Sequence, residues 1–111
     1  MRLLSPDVTA DALVHAPLPT QDVADGSPTT AVVTLGTVAG AEVGLWEMTE
    51  GTARDTEADE IFVVLSGAGT VRFEDGSEIA LRMGTAVRLN AGETTVWMIT
   101  ERLRKVYVSV T

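Results

Sequence analysis

Cysteine is absent from this chain, so neither a disulfide framework nor thiolate chemistry is available to it. Histidine occurs once, as His15, and aromatic residues make up only 5%. With no Cys and a single His remote from any motif, no Ser–His or Cys–His pair for nucleophilic catalysis can be assembled. No uncharged apolar run approaches the ~18 residues of a membrane-spanning helix, so no membrane partner is expected. The segment MRLLSPDVTADALVH holds one Arg and no sustained apolar stretch, which is not a secretory leader pattern. A cytoplasmic setting is the default expectation. Positive charge is scarce too: 8 Lys and Arg stand against 16 Asp and Glu, a formal net charge of −8. Such a surface repels phosphate backbones, so no nucleic acid partner is expected. Glycine-rich phosphate-binding loops are missing as well.

What is present points to one β domain. The 111 residues suffice for a single core without disulfides or structural metal. Hydrophobic residues at 45% and charged residues at 22% give a globular balance. Val and Thr supply 30 residues, and both are stiff at χ1, which favours pleated surfaces over helices. The prolines gather in residues 1–28, where alternation is weak. That segment reads as an N-terminal arm that lies on the domain or crosses to a partner, or equally as a partly ordered tail. Within it, DVTADALVH is compatible with one or two helical turns capped by Asp7 or Thr9.

From Thr29 onward, strand-like runs alternate with turn signals. They are TTAVVTLGTV, EVGLWEMT, DEIFVVLSG, TVRFE, SEIALRM, TAVRLN, TTVWMIT and LRKVYVSVT. Asp75-Gly76 is the strongest hairpin signal. About eight strands with no long helix suggest a sandwich or barrel over residues 29–111. Alternation places Val71, Phe73, Ile79 and Leu81 on a core face, opposite Arg72, Glu74, Ser77 and Ala80. Glu60, Phe62 and Val64 share one face, as do Thr95, Trp97 and Ile99. DEIFVVL is apolar on both faces, so cover on both sides is expected.

Three stretches occur in a telling order: Glu60-IFVVLS-Gly67, the turn Asp75-Gly76, and Gly84-TAVRL-Asn90-Ala91-Gly92. They resemble the two-motif signature of the cupin superfamily, G-x5-H-x-H-x3,4-E-x6-G and G-x5-P-x-G-x2-H-x3-N. Glu60 and Gly67 match the E-x6-G half, and Gly84 and Gly92 match the glycines of the second motif. APLPTQDV, GLWEMTEG, DEIFVVLSG and RLRKVYV, across residues 16–111, further resemble the small single-domain cupins of the Cupin 3 family. Its relatives include ethanolamine-utilisation cupins and the barrels of ureidoglycine aminohydrolase. The resemblance implies an all-β, RmlC-like jelly-roll barrel with an N-terminal arm.

The same resemblance implies a metal centre of three imidazoles and a carboxylate, and this chain lacks the imidazoles. Counting back from Glu60, the two histidine slots fall on Arg54 and Thr56, or on Ala53 and Asp55 with the longer spacing. The third falls on Thr95. A single carboxylate does not hold a transition metal, so neither metal nor other cofactor is expected. The acidic run Asp55-Thr56-Glu57-Ala58-Asp59-Glu60 offers oxygen ligands for a hard cation, but adjacent loop carboxylates are usually just solvated. If the barrel is open at one end, Arg54, Thr56, Phe62, Thr95 and Trp97 are the expected ligand-binding wall around Glu60. Phe62 and Trp97 equally suit a core role, and Glu60 with Arg54 a structural ion pair. Parity leaves open which of Trp46, Glu47, Lys105 and Tyr107 face inward, and Glu47 and Lys105 are placed to pair across strands.

Two kinds of function fit. One is a metal-free cupin that binds a small organic ligand or serves as an accessory module. The other is a metal-independent enzyme of the epimerase, isomerase or aminohydrolase type, with Glu60 as the catalytic acid–base group and Tyr107 as the alternative proton donor. A homodimer is expected, because a small barrel leaves sheet edges that need cover.

Overall fold

The computed structural model describes residues 2–110. Its strands in chain order are β1 (Ala16–Pro17), β2 (Val23–Asp25), β3 (Thr29–Val38), β4 (Ala41–Met48) and β5 (Gly51–Thr56). They continue with β6 (Asp59–Phe73), β7 (Glu78–Arg82), β8 (Ala86–Leu89) and β9 (Thr94–Val110). A 3-10 turn at Thr20–Asp22 is the only helical piece among the described residues. All pairings are antiparallel.

Strand β9 organises the barrel. Its first half pairs with β5 and its second half with β4, while β6 runs along the whole of its other side. β6 and β9 each fuse two runs that the turn signals separated, DEIFVVLSG with TVRFE and TTVWMIT with LRKVYVSVT. The ladder bends instead of ending, through register shifts between Val64 and Gly69. Gly67 makes the bend possible. Its φ is +89°, and a Cβ there would lie 2.1 Å from the Arg102 carbonyl oxygen, which only glycine avoids. β5 is a strand that the turn signals do not mark, formed because GTARDT finds a full partner in residues 94–99 of β9.

The core follows the alternation. Phe62, Val64, Val71, Leu81, Leu89, Trp97, Ile99 and Leu103 are buried together, with Phe73 and Ile79 packed against them. Arg72, Glu74, Ser77 and Ala80 are exposed. The expected double cover of DEIFVVL is not found among the described residues. Ile61 is 55% exposed and Val63 also faces outward. The apolar outer face of β6 aligns with that of β9 and β4, through the rows Ile61–Val108–Val43 and Val63–Val106–Leu45.

The arm lies on its own barrel. It makes a single turn, not a helix: Asp7 accepts from the Thr9 amide at 2.9 Å and its carbonyl from the Ala10 amide at 3.1 Å. Arg104, buried on the outer face of β9, ties the arm down by donating to the carbonyls of Val8 (2.8 Å) and Asp11 (2.6 Å). Farther along, β1 pairs with β3 and β2 with β5, so residues 16–17 and 23–25 extend the sheet.

Candidate functional site

Three cross-strand rows build the inner wall at the barrel mouth. Glu42, Ser109 and Glu60 lie side by side on β4, β9 and β6; Gly44, Tyr107 and Phe62 form the next row; Trp46, Lys105 and Val64 form the third. On the opposite limb, Asp55 pairs with Thr95 and Ala53 with Trp97. These side chains enclose a cavity of about 220 Å³ lined by Trp46, Trp97, Lys105, Tyr107, Glu42, Asp55, Glu57 and Glu60, with Val32 and Ser109.

Lys105 sits at the centre of this arrangement. Its Nζ donates to Glu60 Oε2 at 2.7 Å. It also stands 4.4 Å from the Phe62 ring centroid and 4.7 Å from those of Trp46 and Trp97. Each ring face attracts the cation electrostatically. The rings brace one another, with Trp97 5.3 Å from Trp46 and 5.6 Å from Phe62, both tilted. Phe62 itself is fully buried and lies beneath the ammonium rather than on the cavity surface.

The other polar groups are arranged around this pair. The Tyr107 hydroxyl donates to Glu42 Oε2. Burial first, and the Glu42 carboxylate second, push the Tyr107 phenol well above its ordinary value, so it stays a neutral donor. Gly44 makes room for that phenol: a Cβ at residue 44 would meet the Tyr107 hydroxyl oxygen at 2.5 Å. Glu57 is buried where the chain passes from β5 to β6. Backbone bonds lock this corner, from the Glu57 amide to Glu93 and from the Gly92 amide to Glu57, each 2.8 Å. Its Oε2 accepts from the Thr95 hydroxyl at 2.6 Å and the Trp97 indole at 3.0 Å. Asp55 stands at the rim, and although part of the residue meets solvent its carboxyl borders the cavity. Burial first, then repulsion by Glu57, push that carboxyl up to about 6.

The positions marked in the sequence fall into two groups. Glu60, Trp97 and Thr95 point into the barrel, as does Phe62 below them. Arg54 and Thr56 lie on the outward parity of β5 and are exposed. Arg54 donates to the Gln21 and Val23 carbonyls at 3.3 and 3.2 Å. It does not pair with Glu60, and with Thr56 it borders a separate open concavity of about 610 Å³ that also touches Asp55 and Thr95. The inward histidine slots are therefore Ala53 and Asp55, one residue from the shorter spacing. The expected Glu47–Lys105 pair does not form, because the two side chains leave opposite faces. Glu47 points outward to Arg104 Nε at 2.8 Å and His15 Nε2 at 2.7 Å. Burial alone would raise the Glu47 carboxyl, but these two hydrogen bonds outweigh it and hold the group below its ordinary value. Glu57 and Lys105 were missed as site residues. Counting alternate residues from Ala53 through Asp55 would have found Glu57.

The donor set does not fit a cupin metal. Ala53, Asp55, Thr95 and Glu60 take the four ligand slots, the one histidine is outside the barrel, and the Glu60 carboxylate already holds an ammonium. Among the described residues no group of three or more His, Cys, Asp or Glu is arranged to hold a metal ion.

Fold and site together define a cupin-type barrel in which a lysine takes the charge position beside the motif glutamate. Residues 35–107 match the family described as the EutQ-like cupin domain, and the chain belongs to that family. Among solved structures it is similar to the EutQ protein of Clostridium difficile, with TM-score 0.69 and 22% identity over 85% of this chain and 75% of that one. A putative ethanolamine utilization protein of Salmonella typhimurium gives TM-score 0.62 and 20% identity over 77% and 70%. A protein of unknown function from Pseudomonas syringae gives TM-score 0.76 and 20% identity over 89% of this chain and 44% of that one. At these identities the likeness speaks for the fold. No curated protein sequence matches the chain.

Proposed function

We propose that this protein is a metal-free cupin that binds a small organic molecule in the cavity at the barrel mouth. One observation carries the reading. Lys105 Nζ occupies the carboxylate of Glu60, the one residue of the family's metal set that this chain keeps, inside a cage of three rings. Beside that pair a cavity remains, lined mainly by charged and polar groups with Trp46, Trp97 and Tyr107 among them. That wall is more polar than most small-molecule sites have, and it suits a charged or strongly polar ligand. Elemental analysis of purified protein is expected to find transition metal well below one ion per chain. A thermal-shift screen of small metabolites is expected to find compounds that raise Tm saturably. A stoichiometric Fe, Mn, Ni or Zn removable only by chelation would overturn the reading.

Acid–base catalysis without metal is the second reading, and the Asp55 carboxyl favours it. A group near 6 at a cavity rim can exchange protons close to neutral pH. Glu60, engaged by Lys105, suits positioning better than proton transfer in this arrangement. We also propose a homodimer. The aligned outer rows of β4, β9 and β6 give a second copy of the chain an apolar face to cover, with Ile61, Val108 and Val110 at its exposed centre.

A further inference from the structure

We propose that the cavity takes a small protonated amine, whose ammonium meets the free oxygen of Glu57 against the faces of Trp46 and Trp97. This rests on the barrel mouth being a small-molecule site, and it names the chemical class of the ligand.

Glu57 is the starting observation. Only 8% of its surface is exposed. Both of its hydrogen bonds, from Thr95 and Trp97, reach Oε2. Oε1 has no donor, and among the described residues no cation lies within ion-pair distance of either oxygen. Among the described residues no fully buried side-chain oxygen lacks a hydrogen-bond partner, so the donorless Oε1 opens onto the cavity. A carboxylate this nearly buried without a counter-charge is still costly, and native structures normally supply the partner. Here the carboxylate borders the cavity, so a cavity occupant is the partner the site lacks.

The charge count points the same way. Glu42, Asp55, Glu57 and Glu60 line the cavity and Lys105 is its one cation. Lys105 is spent on Glu60, and the Tyr107 hydroxyl serves Glu42. A positively charged guest relieves what remains, whereas an anion would be repelled. The walls add selectivity for an organic cation over an inorganic one, since Trp faces attract ammonium groups and also bury alkyl carbons. Lys105 demonstrates the preference internally: the protein already binds one alkylammonium on these same two rings. At ~30 Å³ per water, the cavity of about 220 Å³ has room for roughly seven non-hydrogen atoms.

Isothermal titration at fixed ionic strength tests this with n-butylammonium, n-butanol, butyrate and calcium chloride as probes. Indole N–H NMR signals of the full-length protein are recorded alongside. Butylammonium is expected to bind saturably and shift the Trp97 indole signal, while butanol and butyrate do neither. Glu57→Gln keeps the shape and the Oε acceptor but removes the charge, and should weaken butylammonium binding roughly tenfold to a hundredfold. If Glu57→Gln does not fold, the wild-type Trp97 shift decides alone. Butanol binding as tightly as butylammonium, or an unchanged affinity in Glu57→Gln, overturns the amine inference while leaving a small-molecule site standing. Calcium displacing butylammonium overturns it in favour of an inorganic cation. No binding by any probe overturns the amine, and if the wider metabolite screen is also blank, the small-molecule reading fails with it.

Discussion

Replacing Lys105 by Met tests whether the caged ammonium is what neutralises Glu60. Met has similar length and fills the space between the three rings, so the variant isolates the charge. The side chains of Lys105 and Glu60 are 5% and 13% exposed, which places the pair in the buried regime. Removing one partner of a buried pair leaves an uncompensated charge and costs about 3–5 kcal/mol. The lost cation–π contacts, about 0.5–1 kcal/mol each at exposed sites and about 2 or more when desolvated, are partly offset by sulfur–aromatic contacts of the new Met, about 0.3–1.5 kcal/mol. The net expectation is a loss of at least about 3 kcal/mol, or a Tm drop of roughly 12 °C or more for a domain of this size. Glu60→Gln in the same background should recover about 2 kcal/mol of that loss. Urea denaturation of wild type, both single variants and the double variant measures the coupling. A Lys105→Met loss below about 1 kcal/mol, or strictly additive effects, would refute the argument.

Arg104→Ala should release the arm, because Arg104 alone joins Glu47 to the carbonyls of Val8 and Asp11. Amide exchange at residues 8–11 should accelerate while the Leu103 and Ile99 amides stay protected; uniform loss of protection would count against a separable arm. The raised Asp55 carboxyl has a defined pH signature. Between the unfolded value near 3.8 and the folded value near 6 the native state holds an extra proton, so Asp55 makes stability rise as pH is lowered from 7 towards 4. Denaturation curves of Asp55→Asn should lack that component, and an unchanged pH slope would refute it. Ile61→Lys places a charge at the centre of the outer apolar stripe and should convert a light-scattering dimer to monomer with the barrel still folded. A wild-type monomer at high micromolar concentration would remove the dimer proposal.

Much of the barrel was legible because period-two alternation is a strong signal where one face is buried. Val71 with Leu81, Phe62 with Val64, and Thr95 with Trp97 and Ile99 all fall inward as the pattern requires. The site was less legible for three local reasons. First, a one-residue slip exchanges the faces of β5, and motif spacing alone permitted either Arg54 with Thr56 or Ala53 with Asp55. Second, Glu57 stands in an acidic run that reads as solvated, and only the locked corner against Gly92 and Glu93 turns it inward. Third, Arg104 and Lys105 are neighbours with opposite destinations. Parity permits a Lys105–Glu47 pair, but Glu47 faces outward to Arg104 of β9 and His15 of the arm while Lys105 faces inward. The outer face of β6 misled differently. An apolar stripe signals burial, but not whether the cover belongs to the same chain.

The lysine beside Glu60 has a consequence for every other carboxylate of the cavity. A divalent ion would bring two positive charges to this end of the barrel, and Lys105 brings one, which Glu60 absorbs. Four carboxylates then have to be accommodated by other means, and each is treated differently. Glu60 keeps the ammonium. Glu42 takes the proton donor of a phenol whose ionisation is suppressed by burial. Asp55, at the rim, moves towards holding its own proton. Glu57 has only neutral donors, and both fall on one oxygen. Desolvation makes the last arrangement the least favourable of the four, which is why a guest of positive charge gains most there. A cation on Glu57 would also draw the Asp55 carboxyl back down, since repulsion by Glu57 is the second cause of its elevation. Ligand binding and the ionisation of Asp55 are therefore linked. Amine binding below pH 6 should release a proton from Asp55, seen as a buffer-dependent heat of binding that Asp55→Asn abolishes, and a heat independent of buffer would break the link.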